Sequence, residues 1–169
     1  MSKKTISLLL FASVFCALLL TSCSEDEECR LPRFVVLNTG FYRINTNPIG
    51  ETSTARLVVD SLEVRWANVR AYVRRTDRIF LSLNKLSELS EFVFELFDAE
   101  QNFLGRDTVS IFHEVHEEFL SFECGFLHTF TIDETRTRTT NHFIDSIVIN
   151  SKEVNNFSNA EHIRLYHTR

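Results

Sequence analysis

Hydrophobic and polar residues alternate with a period of two along most of the chain after residue 29, which is typical of strands with one buried face. In residues 62–66 (Leu-Glu-Val-Arg-Trp) the apolar side chains fall on one face and the charged side chains on the other. Phe92, Phe94 and Leu96 share a face in the same way. No long amphipathic helix is predicted, and residues 85–90 are the best candidate for a single helical turn.

The same alternation in the run 118–132 predicts one inward face, interrupted by His128, that carries Leu120, Phe122, Cys124, Phe126, Phe130 and Ile132. Cys124 is therefore expected to point inward, unless Gly125 introduces a bulge.

About eight strands are predicted, with a last one at the end of the chain: near 33–44, 56–66, 69–73, 78–83, 91–98, 106–113, 118–132 as one strand or two, 143–150, and 161–167. Segments rich in Asn, Asp, Gly and Pro separate several of these runs. Short strands at this spacing predict an all-β fold, a single antiparallel β-sandwich with an immunoglobulin-like arrangement. A small barrel is the second choice.

The first residues predict a targeting segment. Lys3 and Lys4 precede an uncharged apolar stretch over residues 6–20, which is shorter than the ~20 residues needed to span a bilayer. Residues 20–23 (Leu-Thr-Ser-Cys) resemble the lipobox of bacterial lipoproteins. In those proteins the precursor is cleaved before the cysteine, and the cysteine thiol receives diacylglycerol. An ordinary signal peptide is the alternative.

This resemblance implies three segments: a signal peptide at 1–22, the lipidated Cys23 with an acidic tether at 23–29, and a sandwich domain at 30–169. Four consecutive carboxylates at 25–28 are expected to stay solvated. They are similar to the acidic export signal of Bacteroidota lipoproteins, which implies an outer-membrane location on the cell surface. A spacer without an address function, and thus a periplasmic location, is the alternative.

The charge balance argues against one class of partner. The whole chain has a formal net charge of −5, and because residues 1–22 contain two lysines and no acidic residue, the remainder carries −7. An acidic chain without a long basic stripe does not favour nucleic acid as a partner. The expected partners are the membrane, through the lipid, and a protein or glycan ligand.

The four cysteines predict one disulfide. Cys16 leaves with the signal peptide and Cys23 is lipidated, so Cys29 and Cys124 remain in an oxidising compartment. A zinc site is the rival interpretation, although neither residue has a ligand partner at zinc spacing.

Several stretches are similar to an uncharacterised family of Bacteroidota lipoproteins, a domain of unknown function. The matching stretches are 40–42, 60–62, 81–84 with 92–94, 144–147 and 163–165, and the most specific is 119–126 (Phe-Leu-Ser-Phe-Glu-Cys-Gly-Phe). This chain has Ser82 and Phe122 where relatives typically have proline. The resemblance implies a lipid-anchored β-sandwich and brings no catalytic residue.

Two patterns invite a metal interpretation. In residues 113–118 (His-Glu-Val-His-Glu-Glu) the histidines are three apart, which places them on opposite faces of a strand, so a solvated turn joining two strands is favoured over a metal site. Asp60, Asp107 and Asp145 each precede an alternating run, where Asp commonly bonds to nearby backbone at the start of a strand. That interpretation is favoured over calcium, and no metal or cofactor is predicted.

Arginines and aromatic residues concentrate in residues 65–78. Guanidinium groups beside aromatic rings could bind a carboxylate, a phosphate or a sugar, and Arg70, Tyr72, Arg74 and Arg75 are the candidate ligand-binding residues. The other interpretation is an exposed sheet face with Trp66 in the core.

The sequence contains no GxSxG motif and no Gly-rich phosphate loop, and it has only four glycines. A non-catalytic binding or interaction module is therefore expected. The alternatives are a structural envelope lipoprotein without a ligand, and a hydrolase or metal-dependent enzyme on the same sandwich.

Overall fold

The computed structural model of the protein describes residues 34–46, 48–122, 124–155 and 160–167. Cys16, Cys23, Cys29 and the acidic tether lie outside this range. The described residues form twelve strands and no helix: β1 (Leu37–Thr46), β2 (Thr52–Arg56), β3 (Val59–Trp66), β4 (Val69–Thr76), β5 (Arg78–Leu81), β6 (Leu89–Phe97), β7 (Phe103–Ser121), β8 (Gly125–Ile132), β9 (Arg138–Thr139), β10 (Ser146–Ile149), β11 (Glu153–Val154) and β12 (Ile163–His167). Among these residues, none forms a helix that could cross a membrane.

The strands form two sheets. The first sheet has the order β10-β12-β1-β2, and β5 also pairs with β1. The second sheet has the order β11-β8-β7-β6-β3-β4, and β9 pairs with β7. β1 and β12 are parallel, and the other pairs are antiparallel. The predicted all-β sandwich is confirmed.

One hydrophobic core lies between the sheets, and the residues that alternation predicted to be inward form its centre. Leu62, Val64, Phe92 and Phe94 are each 0% exposed. Phe41 of the first sheet meets Phe94 of the second edge to face, with ring centroids 6.3 Å apart. Each such side chain contributes about 1.5–3 kcal/mol when fully buried, so these contacts hold the two sheets together.

Residues 113–118 do not form a turn, and the predicted break between two strands is wrong. β7 is continuous over 19 residues and includes them all. His113 is fully buried at an inward position of β7, and its ring lies edge to face on Phe130 at 5.2 Å. His113 occupies a position where an apolar core residue is expected. For this reason the polar sequence of residues 113–118 was predicted to be a solvated turn. His116 is exposed and bonds to Thr131, so the two histidines do not converge.

The predicted inward face of residues 120–132 is wrong in its first half. Phe122 and Phe126 are 95% and 59% exposed, whereas Phe130 and Ile132 are buried. The chain reverses between β7 and β8, where Gly125 has a φ of 73°, and the two exposed phenylalanines flank this reversal. Cys124 is buried, at 6% exposure.

Asp107 does not start a strand, which corrects the predicted role of that aspartate. It lies fully buried within β7, and its carboxylate accepts hydrogen bonds from the Thr140 hydroxyl and from the backbone N–H groups of residues 142–144. Burial alone raises its pKa, but these donors outweigh burial and hold the pKa below its ordinary value. Asp107 thus joins β7 to a segment more than thirty residues away.

Candidate functional site

The predicted ligand-binding residues lie on β4, at one edge of the second sheet. The β3–β4 hairpin turns at Ala67, which has a φ of 46°, and its register places Tyr72 opposite Glu63 and Arg74 opposite Ser61. Side chains alternate across a strand, so Arg70, Tyr72 and Arg74 share the outer face while Val73 packs on the core. Trp66 packs against the core as well, beside Phe92.

We call the outer surface formed by these three residues with Ser61, Glu63, Arg65, Glu95 and Arg106 the arginine–tyrosine face. Two largely buried carboxylates neutralise three of the arginines of this face. Glu63 pairs with Arg65 and Arg70, and Glu95 pairs with Arg65 and Arg106. The hydrogen bond with Glu63 raises the pKa of Arg70 further.

Tyr72 lies at the centre of this face and is 45% exposed. Its hydroxyl bonds to Ser61 and to Gln101, which comes from the turn between β6 and β7. The guanidinium of Arg74 lies over the ring, 5.5 Å from its centroid. The hydrogen bond with Ser61, together with Arg74, lowers the pKa of the Tyr72 phenol from its ordinary value of 10.0. The surroundings therefore stabilise negative charge at this oxygen.

Arg74 and Arg75 differ from their neighbours. Within the described residues neither forms an ion pair, in contrast to Arg65, Arg70 and Arg106. Both line a cavity of about 320 Å³ with Asp60, Ala99 and Gln101. Arg75 and Gln101 both have positive φ values, 48° and 70°, and strained backbone of this kind clusters at functional sites. Two guanidinium groups against one carboxylate leave the cavity positively charged.

Ser61, Glu63, Glu95 and Gln101 belong to this site but were not predicted from the sequence. A tight turn at residues 67–68 would have paired Glu63 with Tyr72 and Ser61 with Arg74, so the hairpin register was the available signal. Gln101 had no such signal, because its position depends on how the β6–β7 turn folds back.

A second polar constellation lies at the core. The Ser90 hydroxyl and His113 Nε2 are 2.8 Å apart, beside a cavity of about 400 Å³ that Ser90 helps to line. Both side chains are buried, at 4% and 0% exposure, and the backbone N–H of Asn84 donates to the Ser90 oxygen at 2.7 Å. Burial lowers the pKa of His113. The hydrogen bonds tie the connection before β6 to β7, which is a structural role.

The metal-ligating residue types are dispersed. Asp60 lines the cavity that Arg74 and Arg75 share, and Asp107 accepts hydrogen bonds from residues 140–144. The Asp145 carboxylate lies 4.0 Å from His167. Within the part of the chain that the structure describes, no three His, Cys, Asp or Glu side chains form a group that could hold a metal ion.

Part of the chain matches a known protein family. The model of a family described as a family of unknown function, DUF6452, matches residues 63–167. This region contains Glu63, β4, Gln101 and Cys124, and it excludes Cys23 and Cys29. No curated protein and no solved structure matches the chain significantly.

Proposed function

The chain belongs to DUF6452, a family of unknown function, and we propose that it is a lipid-anchored lipoprotein whose sandwich domain binds an anionic glycan without catalysis. The anchor is supported by the apolar stretch 6–20, the resemblance of residues 20–23 to a lipobox, and the four carboxylates that follow. Two or three acyl chains hold a protein durably on a bilayer, whereas one chain holds it weakly.

The proposed location is the outer membrane of a Bacteroidota cell, with the domain on the cell surface. Protease treatment of intact cells tests the orientation, because a surface domain is cleaved while a periplasmic domain is protected.

A disulfide between Cys29 and Cys124 is part of the proposal. After cleavage and lipidation these are the two cysteines left, and the compartment is oxidising. Cys124 is buried, as a structural bridge requires. Non-reducing peptide mapping is expected to recover the two cysteines in one linked peptide.

The observation that carries the binding proposal is the pair Arg74 and Arg75, beside the exposed ring of Tyr72 and without a carboxylate partner among the described residues. Guanidinium groups bind carboxylates through paired hydrogen bonds, and an aromatic ring stacks on the apolar face of a sugar. An acidic polysaccharide offers both groups in one repeating unit. Arg65, Arg70 and Arg106 already have carboxylate partners, so they position the face and contribute less to the ligand.

The test compares an acidic glycan with its neutral counterpart on an array, using the mature chain with Cys23→Ser to keep it in solution. We expect binding to the acidic form, and a loss of at least about tenfold in the Arg74→Ala/Arg75→Ala double variant, since each charged hydrogen bond contributes about 1.5–3 kcal/mol. Arg136→Ala is the matched control, because that arginine pairs with Asp133 at 2.6 Å elsewhere on the surface. Equal binding of acidic and neutral glycans, or an unchanged double variant, would contradict the proposal.

A further inference from the structure

The β7–β8 hairpin ends in three exposed phenylalanines, which we call the phenylalanine tip: Phe119, Phe122 and Phe126. They are 50%, 95% and 59% exposed. The ring of Phe119 lies between the other two, with centroids 5.4 Å from Phe122 and 5.3 Å from Phe126. Scattered apolar residues are normal on a protein surface, but three rings in mutual contact at a protruding turn form a compact apolar patch.

The phenylalanine tip is set apart from the core along its own face of the hairpin. Phe119 is paired with Phe126, and two residues further along the same face Glu117 is paired with His128, whose side chains are 2.8 Å apart. The next pair, Val115 with Phe130, packs on the core. Along this face a polar pair therefore separates the tip from the buried Phe130, whereas Leu127, which follows Phe126 in β8, is itself buried. The three rings keep half or more of their surface exposed, and this apolar area suits a partner outside the sandwich.

We propose that the phenylalanine tip inserts into the interfacial region of the membrane that carries the lipid anchor; this inference rests on the proposed lipidation of Cys23 and the proposed Cys29–Cys124 disulfide. Cys124 lies between Phe122 and Phe126 in the turn. Cys29 lies six positions after Cys23, and six extended residues span at most about 22 Å. The tip is thus kept within a short tether of the bilayer surface.

A tether of this length makes insertion an intramolecular event, so even a small apolar patch suffices. Apolar aromatic side chains bury favourably at the boundary between headgroups and acyl chains. Glu117, Glu118 and the carboxylates of the tether would be repelled by anionic headgroups, so a zwitterionic bilayer is the suitable test surface.

The test uses a tryptophan reporter in the full, lipidated chain on vesicles of phosphatidylcholine or its brominated form. The chain has a single tryptophan, Trp66, which packs on the core and gives the baseline. Phe122→Trp places a reporter at the tip. Phe103→Trp is the matched control, because Phe103 is similarly exposed, at 57%, and lies at the opposite end of β7.

We expect brominated lipid to quench the added emission of Phe122→Trp severalfold more than that of Phe103→Trp. Equal quenching of the two reporters would overturn the inference. It would also be overturned if the Phe122→Trp emission moved to shorter wavelength with protein concentration in the absence of vesicles, since that identifies a second copy as the partner. Mass and flotation of the wild-type chain are measured in parallel. An unmodified, non-floating chain refutes the proposed anchor, whereas a lipidated chain with equal quenching refutes only the insertion.

Discussion

For single residues, the alternation of apolar and polar positions predicted the centre of the core correctly. It did not predict the polar residues that are buried. Leu62, Val64, Phe92 and Phe94 follow directly from a period of two. Asp107, His113 and His162 are equally buried, but a polar letter in a strand normally indicates the exposed face. Their burial depends on partners far along the chain, which a local pattern does not contain.

Asp107→Ala tests the importance of one such partner. The substitution leaves the N–H groups of residues 142–144 and the Thr140 hydroxyl without their acceptor, and we expect the free energy of unfolding to fall by about 3 kcal/mol or more. Denaturant titration measures the change. Asp145→Ala is the control, because this aspartate has the same place in the sequence pattern but a side chain that is 41% exposed, and we expect a loss of under about 1 kcal/mol. Equal losses would contradict the assigned role.

His162 makes stability depend on pH. The backbone N–H of Asn38 donates to His162 Nδ1 at 2.9 Å, so this nitrogen is unprotonated in the folded chain. Burial lowers the pKa of His162 below the 6.5 of an unperturbed histidine. Between these two pKa values the unfolded chain binds more protons, so stability is complete above about pH 6.5 and falls as the pH decreases below it.

Thermal unfolding at about pH 7.5 and pH 5.5 measures this loss. In His162→Asn the side-chain oxygen can still accept from Asn38 and does not titrate, so a smaller loss between the two pH values is expected. His113, whose pKa is lowered in the same way, accounts for part of what is left. A loss as large as in the wild type would refute the role of His162.

At the level of strands, the approximate positions of the main strands were predictable, while their number, lengths and registers were not. β7 was divided in the prediction because its middle carries five His or Glu residues, although Val109, Ile111 and the buried His113 keep the inward period intact. The candidate site shows the same limit. Arginines and a tyrosine on β4 were visible in the sequence, but the carboxylates that neutralise them come from β3 and β6.

Glu63→Gln tests the contribution of these neighbouring strands. Glu63 neutralises Arg65 and Arg70, so its removal leaves the arginine–tyrosine face more positive. The arginine of the Arg70–Glu63 pair is 67% exposed, and such an ion pair contributes up to about 1 kcal/mol. We therefore expect an acidic glycan to bind up to about fivefold more tightly, with the gain reduced at high salt. Titration calorimetry at two salt concentrations measures it. Weaker binding in Glu63→Gln would show that the carboxylate itself contacts the ligand.

At the scale of the whole molecule, two sheets close over one core, and the charged and aromatic surfaces lie at its periphery. The arginine–tyrosine face extends over four strands of the second sheet, from β4 at its edge to β7, and the phenylalanine tip lies at the β7–β8 reversal of the same sheet. The fold class followed from periodicity and turn residues. The separation of the two surfaces could not be predicted, because it depends on the sheet order and on the reversal at Gly125.

The proposed function depends on Cys23 becoming the lipidated first residue of the mature protein. The most direct measurement is mass spectrometry of the N-terminal peptide from the membrane fraction. We expect a peptide that begins at Cys23 and carries diacylglycerol on the thiol, and a Cys23→Ser variant that leaves the detergent-dependent fraction. An unmodified peptide, or a Cys23→Ser variant held in that fraction as firmly as the wild type, would contradict it.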